Sequence, residues 1–164
     1  MTDRTYVGMH IQKLTAPLVL SIIIMIASGS LGAQVHYSEA TLKNGADGFT
    51  KLTGDELSGF LVNRTIFLKH KSSKKVKIYQ FRHENGYSYT KILGVKKYKG
   101  EIFKGAYQFR DGASHSNSIV NGKPINSRYY RNGDGLVWVC GGSKKGCNYY
   151  IEESWDGDPQ NLKN

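Results

Sequence analysis

The sequence predicts a mainly β protein, a small antiparallel barrel or curled sheet of six to seven strands with one short N-terminal helix. Two observations indicate this fold class. Short segments rich in β-branched and aromatic residues follow one another between residues 64 and 153, separated by Gly, Asn, Asp, Ser or Lys, as is typical of antiparallel strands. Only residues 53–61 show helical periodicity. A single helix would then plug one end of the barrel or lie against one face of the sheet.

The first 33 residues have the composition of a secretory signal peptide. Arg4 and Lys13 precede an apolar run over residues 14–27, and small residues follow it. The run is shorter than the roughly 20 apolar residues that span a bilayer. We therefore predict a signal peptide over residues 1–33 and an exported protein, periplasmic or extracellular, with no transmembrane anchor in the mature chain.

The remainder of the chain has the length of one domain. We expect a loose lead-in over residues 34–51, a single β-rich domain over 52–155 and a flexible tail over 156–164. Without residues 1–33 the chain carries 21 Lys and Arg against 12 Asp and Glu, a net charge of about +9. Such a field favours anionic partners, although many proteins use net charge only for solubility.

The predicted helix has signals at its start and along one face. Thr53 and Glu56 have the spacing of a capping box, in which each side chain bonds the backbone amide of the other residue. Leu57, Phe60 and Leu61 then fall on one face. We expect a helix of two to three turns that covers an apolar surface.

The strand predictions rest on alternation and on turn residues. The predicted strands are TIFLK, VKIYQFR, YSYTKIL, EIFKGAYQFR, SRYYR, LVWVC and NYYIEE. Between the fourth and fifth of these, residues 111–126 are polar and poorly periodic, which predicts a long connection where a ligand loop could lie.

A hairpin is predicted at Asn85 and Gly86, because both residues tolerate the positive φ of a two-residue type I′ turn. That turn places Arg82 opposite Tyr89. Two faces follow from this register. The core face would carry Tyr79, Phe81 and Ile92, and the solvent face Gln80, Arg82, Tyr87, Tyr89 and Lys91.

The two cysteines, Cys140 and Cys147, both lie in the part predicted to be exported, where a disulfide is the expected state. Direct pairing would place Trp138 opposite Tyr149, and Leu136 opposite Ile151. The same register thus aligns the bridge and the apolar pairs. We predict a structural disulfide that closes this hairpin.

Basic and aromatic side chains are the best functional candidates. Lysines cluster in two predicted loops, which would form a cationic rim if adjacent hairpin ends meet. With the predicted solvent face, this rim could hold an anionic polymer by charge and stacking; alternatively, the lysines only discourage edge-to-edge aggregation. The candidate ligand-binding residues are Arg82, Tyr87, Tyr89, Lys91, Lys74, Lys75, Lys96 and Lys97.

No catalytic or metal motif stands out. The histidines are scattered among polar residues, and two cysteines alone make a poor zinc site. Ser114 and Ser116 flank His115, but sequence neighbours seldom share catalytic geometry. We predict no catalytic residues, no metal and no cofactor.

The chain resembles a loose group of small exported bacterial proteins, largely uncharacterised, that open with an L-[ST]-x-x-E-[LI] helix and continue as a curled antiparallel sheet. The matching positions are Leu52, Thr53, Glu56, Leu57, Leu61 and Thr65 at the opening and Trp138, Cys140 and Cys147 at the close. The resemblance implies an envelope location and a β-rich fold, and it assigns no functional residue.

We therefore expect an exported binding protein with a cationic aromatic face for an anionic ligand, acting by binding rather than by catalysis. Its partner would be an anionic polymer, a membrane surface or an acidic protein. Two alternatives remain open. The first is a barrel that binds a lipid or small apolar ligand in an internal pocket. The second is a secreted hydrolase whose site residues meet only in three dimensions.

Overall fold

The computed structural model describes residues 37–119, 121–141 and 146–164. The predicted signal peptide and the first residues of the predicted lead-in lie outside the described residues. No helix among the described residues is both long and apolar enough to cross a membrane.

Two short helices and nine strands make up the fold of the described residues. The helices are α1 (Glu39–Lys43) and α2 (Gly54–Leu61). The strands are β1 (Thr50–Lys51), β2 (Arg64–His70), β3 (Ser73–Arg82), β4 (Tyr87–Leu93), β5 (Ile102–Arg110), β6 (Ala113–Asn117), β7 (Pro124–Arg131), β8 (Val137–Gly141) and β9 (Cys147–Asp156). Single 3₁₀ turns occupy Ala46–Gly48 and Lys96–Tyr98.

Strands β2 to β9 form a closed antiparallel barrel. Each pairs with the next along the chain, and β9 pairs back with β2, so eight strands complete the ring. Strand β1 is a ninth strand that pairs with β7 outside the ring. The mainly β antiparallel prediction is confirmed. The predicted number of strands is too low, because β1 and β6 were not anticipated.

Strand β6 lies within the segment that the sequence predicts to be a connection. Its residues, ASHSN, lack the alternation of apolar and polar side chains by which strands are recognised. The reason is that its inward side chains are serines. Ser114 is 2% exposed and lies opposite Ser127 of β7.

The main core fills the barrel at the end where α2 lies. Leu57 and Leu61 of the helix pack with inward side chains of the wall, including Ile66, Tyr129 and Val137. The helix contacts β2 and β5, which stand three places apart in the ring of eight, so it spans the opening. Of the two placements that the sequence leaves open, the helix takes the one at an end of the barrel, and its stabilisation comes from this burial.

The predicted capping box does not form. Thr53 occupies the N-cap position, but its side chain makes no capping hydrogen bond. Glu56 instead pairs with Arg131 of β7. Its carboxylate thus ties the helix to the barrel wall rather than to the helix start.

The two ends of the barrel differ in what lies at them. At one end α2 covers the opening and β3, β5 and β7 turn into the next strand; we call it the helix end. At the other end β2, β4 and β6 turn into the next strand; we call it the lysine end, for the residues described below. In an up-and-down barrel alternate turns lie at alternate ends, so these assignments follow from the strand order.

The lead-in is ordered from Tyr37 onward and packs outside the barrel. Leu42 of α1 and Phe49 are buried, and they join a second cluster with outward side chains of β7, β8 and β9. The disulfide belongs to this cluster. The lead-in predicted to be loose therefore covers the cystine.

The disulfide joins Cys140 to Cys147, as the sequence predicts. The pairing beside it was predicted wrongly. A β-bulge lies between Val139 and Cys140, so Val139, not Trp138, stands opposite Tyr149. The extra residue on β9 is Asn148, and one extra residue moves all later pairs by one position.

The C-terminal tail packs against the outside of β3 and β4. Leu162 is 1% exposed and joins Phe81 and Tyr89 in a third cluster. Asp158 fixes this segment by accepting hydrogen bonds from the backbone amides of Leu162 and Lys163, at 2.9 and 2.8 Å. The segment that the sequence predicts to be a flexible tail thus covers part of the barrel wall.

Candidate functional site in the barrel lumen

Arg82 points into the barrel, not toward solvent as the sequence predicts. It lies opposite Ser88, whereas Phe81 lies opposite Tyr89. The predicted register, with Arg82 opposite Tyr89, is therefore wrong by one residue. Because side chains alternate between faces, this slip moves Arg82 into the lumen and Phe81 to the outside.

The turn between β3 and β4 explains the slip. Its loop contains three residues, Glu84 to Gly86, because His83 and Tyr87 are still joined by a backbone hydrogen bond. Gly86 adopts φ +84° while Asn85 stays at negative φ, as in a type I turn followed by a glycine bulge. A type I′ turn would need positive φ at both positions. The Asn85 side chain instead accepts a hydrogen bond from the Tyr87 amide at 3.2 Å.

The Arg82 guanidinium is buried and only partly paired. The side chain is 4% exposed. Nη2 donates a hydrogen bond to Tyr129 Oη at 2.7 Å, while Nε and Nη1 are buried and have no hydrogen-bond partner among the described residues. Arg82 forms no salt bridge within the described part of the chain. A guanidinium stays charged in proteins, so this is a buried cation with spare donors.

Two tyrosine rings flank this cation. The Arg82 Cζ atom lies 5.7 Å from the centre of the Tyr129 ring and 5.9 Å from that of Tyr107. The Tyr107 hydroxyl donates to the His83 carbonyl oxygen at 2.7 Å, and burial raises the pKa of Tyr107. The rings offer cation–π attraction, but they supply no full negative charge while both hydroxyls remain protonated.

The Arg82–Tyr129 hydrogen bond crosses the lumen. Arg82 lies on β3 and Tyr129 on β7, four places apart in a ring of eight strands, so they face each other across the barrel. Tyr129 also belongs to the apolar core that contacts α2. The hydrogen bond therefore joins the buried cation to the apolar core.

Small residues follow Arg82 in the cross-strand register, which runs through Ser88 of β4 to Gly105 of β5. A second row begins at the aromatic ring of Phe109 on β5 and continues through the small residues Ser114, Ser127 and Gly141. Side chains of this size fill much less volume than the leucines and isoleucines of the core. An eight-stranded barrel is just wide enough to be filled by its side chains or to hold one small ligand.

The other predicted site residues lie in two separate places. Tyr87, Tyr89 and Lys91 lie on the outer wall of β4, where the Lys104 ammonium lies 4.2 Å from the centre of the Tyr87 ring and 5.9 Å from that of Tyr89. Tyr89 is only 8% exposed, since Leu162 packs on it. The predicted cationic aromatic face is therefore incomplete on the outer wall, because Arg82 lies inside the barrel and Leu162 covers Tyr89.

Lys74, Lys75, Lys96 and Lys97 lie at the lysine end in neighbouring hairpin ends, which is the condition on which the predicted cationic rim depends. Gly94, which precedes the 3₁₀ turn bearing Lys96 and Lys97, is so close to β3 that a Cβ atom there would lie 1.7 Å from the Lys75 carbonyl oxygen. These lysines and their neighbours are mostly exposed and make no salt bridge among the described residues. We call the following residues the lysine rim: Lys71, Lys74, Lys75, Lys96, Lys97, Lys99 and Lys123.

His115, the histidine considered for hydrolysis, lines a shallow depression of about 440 Å³ on the wall of β5, β6 and β7. Its Nε2 atom lies 3.2 Å from the Arg110 carbonyl oxygen. The depression is lined by Ala106, Tyr107, Gln108, Arg110, His115, Ser116, Asn117, Pro124 and Asn126. This lining brings no carboxylate to His115. Within the described ranges no cluster of His, Cys, Asp and Glu has the arrangement of a metal site.

Comparisons with protein-family models, with curated proteins and with solved structures find no match for this chain. The functional argument therefore rests on the geometry of the site.

Proposed function

We propose that this protein binds a small organic anion inside the barrel, with a carboxylate or phosphate group at Arg82 and an apolar portion in the lumen. The observation that carries the proposal is the buried guanidinium whose Nε and Nη1 atoms have no hydrogen-bond partner in the part of the chain that the structure describes. Leaving a buried charge uncompensated costs about 3–5 kcal/mol. An anionic ligand would remove this penalty by accepting hydrogen bonds from the spare donors.

The chemistry of the lumen supports an amphiphilic ligand. Ser88 and Gly105 follow Arg82 in the cross-strand register and carry a small side chain or none, while Ile78 on the same strand and Val139 pack against the apolar core. The ligand would thus combine an anionic head with an apolar body. This proposal joins two expectations from the sequence, an anionic ligand and an internal pocket, and moves the binding site from the outer wall into the lumen.

Export is part of the same proposal. The disulfide is typical of oxidising compartments, and the predicted signal peptide would direct the chain there. We propose that the protein works in the periplasm or outside the cell, where it would carry or sequester its ligand.

The experiment compares anionic and neutral ligands of equal length. Octanoate, octyl phosphate and octanol are titrated into the purified protein and into Arg82→Gln by calorimetry. We expect the protein to bind one or both anions more tightly than octanol and Arg82→Gln to lose that preference. Binding of octanoate alone or octyl phosphate alone would identify the head group. Arg110→Gln, which removes an exposed arginine from the outer wall, should bind all three as the unchanged protein does.

Two further measurements keep the test decisive. Arg82→Lys retains the charge and serves if Arg82→Gln does not fold, as judged by circular dichroism; it should bind the anions more weakly but still prefer them to octanol. A bound anion should also raise the melting temperature of the unchanged protein by mass action. Equal affinity of the unchanged protein and a folded Arg82 variant for the anions would overturn the proposal.

A further inference from the structure

The charges of the protein are separated along the barrel axis. All seven residues of the lysine rim lie in or beside the turns at the lysine end, where Glu101 is the one carboxylate among the described residues of those turns. The described turns and chain segments at the helix end carry most of the carboxylates. These are Asp55, Glu56, Glu84, Asp111, Asp134, Asp156 and Asp158.

Ion pairing sharpens this separation. At the helix end Arg64 pairs with Asp156 at 3.1 Å, and Arg131 pairs with Glu56. The rim lysines have no such partners among the described residues. The positive field of the rim is therefore not cancelled locally, and it projects from one end of the barrel.

We propose that the lysine rim docks the protein, lysine end first, on the surface of an anionic lipid membrane. The rim draws its lysines from turns that follow β2, β4 and β6, which are spaced around the barrel. Charges distributed around an end suit a broad surface better than a single linear strand. Basic residues near an anionic bilayer each contribute about 1 kcal/mol of attraction, which salt screens.

The apolar side chains at this end favour a membrane over a single-stranded nucleic acid as the partner. Strand-binding proteins stack bases on exposed rings, but the Tyr98 ring in the rim is half-buried and packs edge-on against Phe103 at 5.6 Å. What is exposed instead is Ile102, at 38%, directly after the turn that carries Lys96, Lys97 and Lys99. An exposed aliphatic side chain beside lysines matches the boundary between lipid head groups and acyl chains.

Docking by the rim goes beyond the proposed ligand site and does not require it. The rim lies at the end of the barrel opposite to the helix, whereas Arg82 occupies the last position of β3, which turns at the helix end. Arg82 lies inside the barrel and is absent from the rim, so each can be tested without the other.

The test uses sedimentation of the purified protein with two kinds of vesicle, phosphatidylcholine mixed with phosphatidylglycerol and phosphatidylcholine alone. We expect binding to the mixed vesicles only, weakening as salt rises. Lys74→Gln with Lys75→Gln should lower the affinity about 30-fold, taking about 1 kcal/mol per lysine. The matched control is Lys43→Gln with Lys163→Gln, which removes the same charge from exposed lysines outside the rim and should lower affinity much less.

Three outcomes would overturn docking by the rim. They are equal losses in the rim and control variants, binding that persists on phosphatidylcholine alone, and tight salt-dependent binding to a single-stranded oligonucleotide with none to mixed vesicles. Inorganic phosphate equal in concentration to the lipid phosphate should not displace the vesicles; full displacement would indicate a site for free phosphate instead. Arg82→Gln separates the two proposals, because it should still bind mixed vesicles while losing octanoate and octyl phosphate.

Discussion

The helix end and the lysine end of this barrel differ in their side chains, which are apolar and buried at the helix end and basic and exposed at the lysine end. At the helix end, Leu57 and Leu61 of α2 fill the opening with apolar volume and are almost fully buried. Carboxylates surround this end, and two of them are paired with arginines. At the lysine end, exposed ammonium groups lie in the turns and have no such partners among the described residues. Buried apolar side chains therefore dominate the helix end, and exposed lysines dominate the lysine end.

We therefore expect the helix end to determine folding stability and the lysine end to determine binding. Burial of large aliphatic side chains is the main source of folding free energy, whereas exposed charges contribute little to it. Substitutions at the helix end should therefore lower stability, and substitutions in the lysine rim should change binding. Arg82 lies inside the barrel and is hydrogen-bonded to Tyr129 of the apolar core.

The largest effect is expected from Leu61→Ala in α2. Leu61 is 0% exposed, so the substitution removes buried methyl groups and leaves a cavity, which costs about 2–5 kcal/mol. Denaturant unfolding at neutral pH measures the loss. The control is Leu136→Ala in the turn between β7 and β8, where the leucine is 37% exposed. This substitution should lower the free energy of unfolding by less than about 1 kcal/mol.

Equal losses from these two leucine variants would break the comparison. They would mean that α2 covers the barrel without stabilising it.

A smaller effect is expected from removing the disulfide, which holds the start of β9 to the end of β8. Cys140→Ser with Cys147→Ser should lower the free energy of unfolding by about 2 kcal/mol, because the bridge closes a short loop of the unfolded chain. The bridge also fixes the register beside the bulge at Val139. Denaturant unfolding of the double variant, beside the unchanged protein with and without reductant, measures this. Reduction of the double variant should change nothing.

The sequence predicts the fold wherever the hydrophobic pattern is strong. The seven anticipated strands, the helix at residues 54–61 and the disulfide all appear. What failed is the polar part of the barrel. Strand β6 was missed since Ser114 and Ser116 face inward, and hydrophobic periodicity cannot detect a strand whose buried face is polar.

The site was missed for a related reason. The choice between a two-residue and a three-residue turn at Asn85 and Gly86 decides which face of β3 enters the barrel. With the wrong turn, Phe81 was assigned to the core and Arg82 to solvent. The sequence of β3 leaves it ambiguous which face is buried. Tyr79 and Phe81 alternate with Ile78 and Gln80, so both faces carry an apolar residue. Only the partners of Phe81 outside the barrel, Tyr89 and Leu162, resolve that ambiguity.

The anchor of α1 on the wall should make stability depend on pH at both extremes. The Glu39 carboxylate accepts hydrogen bonds from Arg128, at 2.6 Å for Nη2, and from the Tyr130 hydroxyl at 3.2 Å. Pairing with Arg128 lowers the pKa of Glu39. The stabilisation is therefore present above the carboxyl's ordinary pKa and is lost as pH falls through the lowered value.

Tyr130 gives the alkaline counterpart of this dependence. Burial, with the nearby Glu39 carboxylate, raises the pKa of Tyr130 from about 10 to about 12. The unfolded chain then ionises first, so stability should fall as pH rises from about 10 to about 12. The measurement is the free energy of unfolding against pH for the unchanged protein and for Tyr130→Phe. The alkaline slope should be shallower in Tyr130→Phe, and an identical slope would mean that Tyr130 ionises as freely in the folded state.

The smallest effect is expected from removing charges at the two ends. The test is whether each removal raises or lowers the free energy of unfolding. Lys74→Gln with Lys75→Gln should leave the free energy of unfolding within about 0.5 kcal/mol of its original value, and any change at low salt should be a gain, because like charges crowd the rim. Asp156→Asn at the helix end should give a small loss, within about 1 kcal/mol, because it breaks the exposed ion pair with Arg64. Denaturant unfolding at low and high salt measures both. A loss from the lysine variants that salt does not remove would show that these side chains hold the turns in place, and the separation of stability from charge would then fail at the lysine end.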